Sequence, residues 1–165
     1  MAAAPLAIFL HGSIGVGKTT LGAALAERLG GAYVDGDRYQ RPGRPWFASS
    51  LSVALGLAES AVREARPGAP AVLGYPLRRR DACYLRGTLA RAGVRALFIN
   101  LCPPIKAIFG PGRGRRFSAW ERGRTAEMIA QGYNDRPWSD ARVDTSGPRE
   151  NSVRLLEEAV RRLAA

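Results

Sequence analysis

Residues 12–19 read Gly-Ser-Ile-Gly-Val-Gly-Lys-Thr. A glycine, any four residues, then glycine-lysine-threonine leaves the surrounding chain few ways to fold. An apolar run, Leu6-Ala7-Ile8-Phe9-Leu10, leads in as a buried strand, and a helical stretch from Thr20 to Leu29 leads out. Strand, glycine loop and helix in that order form the frame of a phosphate-cradling turn. Gly12, Gly15 and Gly17 let the backbone turn sharply and aim successive N–H groups inward, and the positive end of the helix starting at Lys18 adds to their pull on an anion. Lys18 reaches the β and γ phosphates of a bound nucleotide, and the Thr19 hydroxyl is placed to ligate Mg²⁺. The main-chain cradle spans Gly12, Ser13, Ile14, Gly15, Val16, Gly17, Lys18, Thr19 and Thr20. The expectation is a chain that binds a nucleoside triphosphate, ATP above all, together with Mg²⁺.

The rest of the chain alternates strand and helix. Strands are expected at 6–11, 32–35, 70–75, 96–101 and 141–144. Helices are expected at 18–29, 47–66, 80–92 and 150–163, with a short one after Pro103-Pro104. Ser118-Ala119-Trp120-Glu121 is a capping box that opens a further helix to about Ala130. This order implies an α/β protein with three layers, a mostly parallel five-stranded sheet with helices on both faces. With 165 residues and no linker, repeat or shift in composition, one domain over 1–165 is expected. In such sheets ligands sit at the carboxyl ends of the strands, which directs attention to Asp35 and Asp37, Tyr75 to Arg80, Pro103-Pro104 and Thr145 to Pro148.

Composition narrows the partners. No apolar run is long enough to span a membrane. The N-terminus has no basic region before its apolar stretch and does not read as a signal peptide. Cys83 and Cys102 lack metal-ligand spacing, His11 is the lone histidine, and two unpaired cysteines fit a cytoplasmic protein. The net charge of +11 invites a nucleic-acid reading. However, all but Lys18 and Lys106 of the 25 basic residues are arginine. No basic stripe interleaves with aromatics, so nucleic acid is not the expected partner. The arginines near the loop suit ATP and a small anionic acceptor, in a monomer or homodimer.

Guanine-specific GTPases carry Asn-Lys-x-Asp after a strand, whereas strand four here ends Asn100-Leu101-Cys102-Pro103. Transporter ATPases need an acidic pair at the end of strand three, and Ala71-Val72-Leu73-Gly74-Tyr75 has no acid. The small size, the early loop and the segment Gly110-Pro111-Gly112-Arg113-Gly114-Arg115-Arg116 favour a small kinase. In Gly12 to Thr20, followed by Leu21, Leu25, Ala26 and Tyr33-Val34-Asp35-Gly36-Asp37, the chain resembles the shikimate kinases and gluconokinases. Asp-Gly-Asp followed by Pro45-Trp46 is most similar to gluconokinase.

The resemblance implies a phosphotransferase acting on a hydroxyl of a small polar metabolite such as a sugar acid, cyclitol or specialised metabolite. It implies that Asp35 holds Mg²⁺, directly or through water, and that Asp37 is the base for the acceptor hydroxyl. A plain strand-ending turn is the alternative for Asp35-Gly36-Asp37. Residues 110–118 correspond to a lid, with Arg113 against adenine and Arg115 or Arg116 on the phosphates; a solvated basic loop is the alternative. Pro148 falls in the loop covering the other face of the base.

Departures lie on the acceptor side. Gly74-Tyr75-Pro76-Leu77 stands where shikimate kinases have a triple glycine. It is similar to the Gly-Phe-Pro of adenylate kinases, but Leu73 replaces their aspartate. A nucleoside or nucleotide kinase is therefore the alternative enzyme, and a nucleotide-dependent nucleic-acid-binding module the alternative from another class. Tyr75, Arg78, Arg79 and Arg136 are the candidate acceptor contacts. Arg78, Arg79 and Arg80 read equally as a carboxylate site or a solvated helix start. Trp46, Tyr133 and Trp138 read as pocket or packing.

Overall fold

A computed structural model describes residues 4–165, except for the side chains of Trp46 and Phe47. Five strands, β1 (Leu6–His11), β2 (Ala32–Asp35), β3 (Ala71–Gly74), β4 (Arg95–Leu101) and β5 (Ala141–Val143), form one sheet in the order β2-β3-β1-β4-β5. Every pairing is parallel. The helices are α1 (Lys18–Arg28), α2 (Ser50–Glu64), α3 (Arg79–Arg91), α4 (Ile105–Ile108), α5 (Ala119–Ala130) and α6 (Arg149–Ala164).

Both faces of the central strands are buried, which is why they read as unbroken apolar runs. Alternate side chains of a strand point to opposite faces. Ala7 and Phe9 of β1 therefore join Leu73, Phe98, Leu57 and Leu85 in one core, under α2 and α3. Ile8 and Leu10 join Val72, Ile99, Leu25 and Leu156 in the other, under α1 and α6. The Phe9 and Phe98 rings stack at 4.9 Å.

The expected elements are present, with shifted ends. The 47–66 helix begins as a 3-10 turn, Trp46–Ser49, and becomes α-helical only at Ser50. It stops at Glu64 because Ala65 turns extended and Arg66 bridges back to Ala69. β5 ends one residue early, where Asp144 accepts a hydrogen bond from the Ser146 N–H at 2.8 Å. The reading of Trp46 concerns a side chain outside the described residues.

Gly31 shows how tightly β2 is seated. A Cβ there would lie 1.9 Å from the Pro70 carbonyl oxygen, the same oxygen that accepts from the Ala32 N–H at 3.1 Å. Only glycine lets the turn after α1 pass the start of β3.

Candidate active site

One cleft of about 1010 Å³ opens over the carboxyl ends of the strands. The phosphate loop forms its floor. Gly15 (φ +80°) and Gly17 (φ +102°) are left-handed, a backbone that L side chains rarely adopt. Gly17 is the N-cap of α1, with no side-chain cap and no acid in the first turn. The N–H groups at this helix start are therefore uncapped by any side chain where Gly17 to Leu21 line the cleft. The Lys18 ammonium donates to Gly12 O at 3.1 Å and Ser13 O at 2.6 Å. Burial pulls its pKa down to about 8; Asp37 and Asp35 oppose that and Arg115 reinforces it.

Two carboxylates flank the lysine. Asp35, the last residue of β2, caps the 3-10 turn Gly36–Tyr39 by accepting the Asp37 N–H at 3.0 Å. Its other oxygen accepts from Thr19 Oγ1 at 3.2 Å. Asp37 lines the cleft, and Gln40 Nε2 donates to its Oδ1 at 3.0 Å. Burial, then the Asp35 charge, push the Asp37 carboxyl above the ordinary range, and Lys18 works against both.

On the opposite side the arginine-glycine segment folds down onto the loop. Arg113 donates to three carbonyls, Ala107 O at 3.2 Å, Val16 O at 3.3 Å and Thr145 O at 2.8 Å. Three of its five N–H donors are thus used within the protein, which holds the guanidinium plane in place with its faces left for stacking. Pro148, N-cap of α6, lines the cleft beside it. The Phe117 ring presses on Gly15 so closely that a Cβ there would lie 2.7 Å away. Arg115 lines the cleft, held by Glu121 at 2.5 Å. Arg116, its neighbour in the chain, is exposed and does not line it.

The expected acceptor residues are only partly brought together. Tyr75 lines the cleft, nearly buried, its hydroxyl pushed up to about 12 chiefly by burial. Arg78 does not line it; it caps α3, with Nε donating to Asp81 at 3.2 Å. Arg79 is exposed and outside the cleft. Arg136 also lies outside, its guanidinium 4.3 Å from the Tyr133 ring centre. The cleft wall comes instead from α5, where Trp120, Arg124 and Met128 stand four residues apart on one helix face. The Tyr133 hydroxyl is raised by burial, and the Arg136, Arg78 and Arg124 charges draw it back down against Asp81.

Behind the loop lies a buried polar layer. His11 and Asn100, opposite each other on β1 and β4, are fully buried. Asn100 Nδ2 donates to Tyr133 O at 2.9 Å and His11 O at 3.3 Å, and its Oδ1 accepts from Arg136 N at 3.0 Å. The His11 ring stacks on Trp138 at 4.7 Å and meets Ser139 Oγ at 2.9 Å. Trp138 is thus packing.

Solved structures share this architecture over nearly the whole chain. A gluconokinase from Sinorhizobium meliloti is 21% identical, with a TM-score of 0.75 over 98% of this chain and 95% of that one. An APS kinase from Mycobacterium tuberculosis, in complex with AMPPNP and APS, is 15% identical, with a TM-score of 0.67 over 96% and 99%. A shikimate kinase from Acinetobacter baumannii in complex with shikimate is 17% identical, with a TM-score of 0.60 over 96% and 94%. No protein-family model matches the chain, and no curated protein matches it in sequence. The fold is that of the phosphate-loop small-molecule kinases.

Within this kinase fold, four cleft or loop contacts had no signal in the motifs. Gln40 follows Asp37 by three residues in a turn whose geometry only the 3-10 conformation sets. Arg124 and Met128 were detectable as an i, i+4 stripe continuing from Trp120, but the stripe does not say what it faces. Asn134 accepts the Ser13 N–H at 2.8 Å from 121 positions away, and nothing local announces it. Among the described residues no helix is long and apolar enough to cross a membrane.

Proposed function

We propose that this chain is an ATP- and Mg²⁺-dependent phosphotransferase acting on a hydroxyl of a small polar metabolite that carries an acid group. The carrying observation is that one cleft holds the open amino end of α1 and Lys18 on its floor, with the Asp37 carboxylate at its side.

Phosphoryl transfer rests on in-line positioning and on charge placed where the transferring group passes. The loop amides and Lys18 cradle the phosphates. Thr19 and Asp35, two hard oxygen donors already 3.2 Å apart, fit Mg²⁺, which takes one or two protein ligands and completes its shell with phosphate and water. Held by these two residues, the ion would supply positive charge to neutralise the phosphates. Asp37, steadied by Gln40, accepts the acceptor hydroxyl's proton. Arg115 and Arg113 occupy the lid side, and Arg113 with Pro148 frames the place for the base.

Arg124 on the cleft wall supports an acceptor bearing a carboxylate or similar anion. The assay is release of ADP and of a phosphorylated product from a panel of sugar acids, hydroxylated cyclic acids and hydroxylated specialised metabolites, with nucleosides and nucleoside monophosphates in parallel. Asp37→Asn is expected to lower turnover at least ~100-fold while Mg²⁺–nucleotide affinity stays within about threefold. A variant with near-normal turnover would end the base assignment. Transfer to nucleoside monophosphates alone would replace the metabolite reading with the nucleotide-kinase one.

A further inference from the structure

We propose that Asn134 is a positioning residue for Lys18, acting through a single peptide plane of the phosphate loop; the inference rests on the nucleotide-binding reading above. The Ser13 N–H donates to Asn134 Oδ1 at 2.8 Å. No peptide bond among the described residues is cis, and a trans peptide holds its N–H and C=O pointing in opposite directions. The bond that draws the Ser13 N–H toward Asn134 therefore aims the Gly12 carbonyl the other way. That carbonyl receives Lys18 Nζ at 3.1 Å. Asn134 thus fixes one of the two oxygens that hold the ammonium over the loop.

The plane needs such a hold. Gly12 sits at φ +152°, and glycine offers little resistance to rotation of the plane that follows it. The space is also tight: a Cβ at Gly12 would lie 2.8 Å from Leu101 O and 3.4 Å from Asn134 Oδ1.

Asn134 is itself anchored. Asn100 binds the backbone on both sides of it, at Tyr133 O and Arg136 N, and Ser139 and Trp138 lock the following residues to His11. Asn134 Nδ2 is buried with no hydrogen-bond partner. Of this amide only the oxygen is engaged, by the Ser13 N–H. The residue does not line the cleft, so its influence on the phosphates passes through Lys18.

A double-mutant cycle on Mg²⁺–AMPPNP affinity, read by calorimetry, tests this without any acceptor. The quantity is the factor by which Lys18 tightens binding, the Kd of Lys18→Ala over that of the parent. In the Asn134→Ala background that factor is expected to shrink about tenfold, because the lysine no longer has a fixed perch. Asn134→Asp keeps an oxygen facing the Ser13 N–H, and there the factor should stay within about threefold of its original value. Thermal unfolding confirms that each variant is folded, and Asn134→Leu substitutes for the alanine variant if that one is not. An unchanged factor in Asn134→Ala, or an equal loss in Asn134→Asp, overturns the assignment. A parent protein that binds no Mg²⁺–AMPPNP overturns the nucleotide reading and the inference with it.

Discussion

Acidification should destabilise this protein through His11, by an amount the structure lets us work out. The imidazole is fully buried, and burial first, then the Arg136 and Lys18 charges, lower its pKa from 6.5 to about 3. Its hydrogen bonds say why a second proton is unwelcome. Nδ1 faces the Asn100 amide nitrogen at 3.5 Å, a group that only donates, so Nδ1 is the bare nitrogen and Nε2–H points at Ser139 Oγ. Protonation would set two donors against each other in a dry layer. Because the folded pKa lies below the unfolded one, the unfolded chain binds the extra proton between pH 6.5 and 3, and stability falls as pH falls through that window. With those two values, lowering the pH from 7.5 to 5.0 costs about 2 kcal/mol. That is a sizeable share of the ~5–15 kcal/mol typical of a domain. Urea unfolding at both pH values, on the parent and on His11→Gln, isolates the contribution, because other groups titrate alike in both. The expected result is an acid loss about 2 kcal/mol smaller in the glutamine variant. Losses agreeing within ~0.5 kcal/mol would refute the reasoning.

The remaining predictions concern the loop lysine and the turn before β2. With a pKa of about 8 in the free protein, Lys18 is mostly neutral at pH 8.5, and phosphates bound beside it should restore its charge. Calorimetry in buffers of different ionisation enthalpy is expected to show uptake of about 0.8 proton per Mg²⁺–nucleotide at that pH, lost in Lys18→Ala; no uptake in the parent would refute the shift. Gly31→Ala should lose at least ~3 kcal/mol or fail to fold, since its Cβ would be driven into the Pro70 carbonyl. Gly30→Ala, left-handed but with open space around it, should lose only about 1 kcal/mol. Chemical denaturation of the pair checks both, and equal losses would show that the turn relaxes around either methyl.

Much of this molecule was written locally. Glycines at 12, 15 and 17, with Lys18 and Thr19, define the loop because its shape is set by backbone angles within eight residues. The buried strands declare themselves as apolar runs because both their faces are covered. The capping box at Ser118 is observed, with Ser118 Oγ accepting the Glu121 N–H at 3.1 Å, because a cap is a contact across three residues. The lateral order of the strands is a different matter: β3 lies between β1 and β2, and nothing along the chain counts neighbours in the sheet.

The site divides in the same way. Sequence singled out Arg113 and Pro148, which line the cleft, but could not choose between Arg115 and Arg116. Only the fold of the segment over Phe117 turns the first toward the cleft and leaves the second in solvent. Sequence offered Arg78, Arg79 and Arg136 for the acceptor, whereas the cleft wall is built by Arg124, Met128 and Trp120 from a helix whose facing direction depends on everything packed beneath it. Asn134 reaches Ser13 across 121 positions. What the chain determined by itself were the pieces whose physics is complete within a turn or two of backbone; what tertiary structure decided were the contacts between distant segments, because a side chain's partners depend on where the rest of the chain has put them.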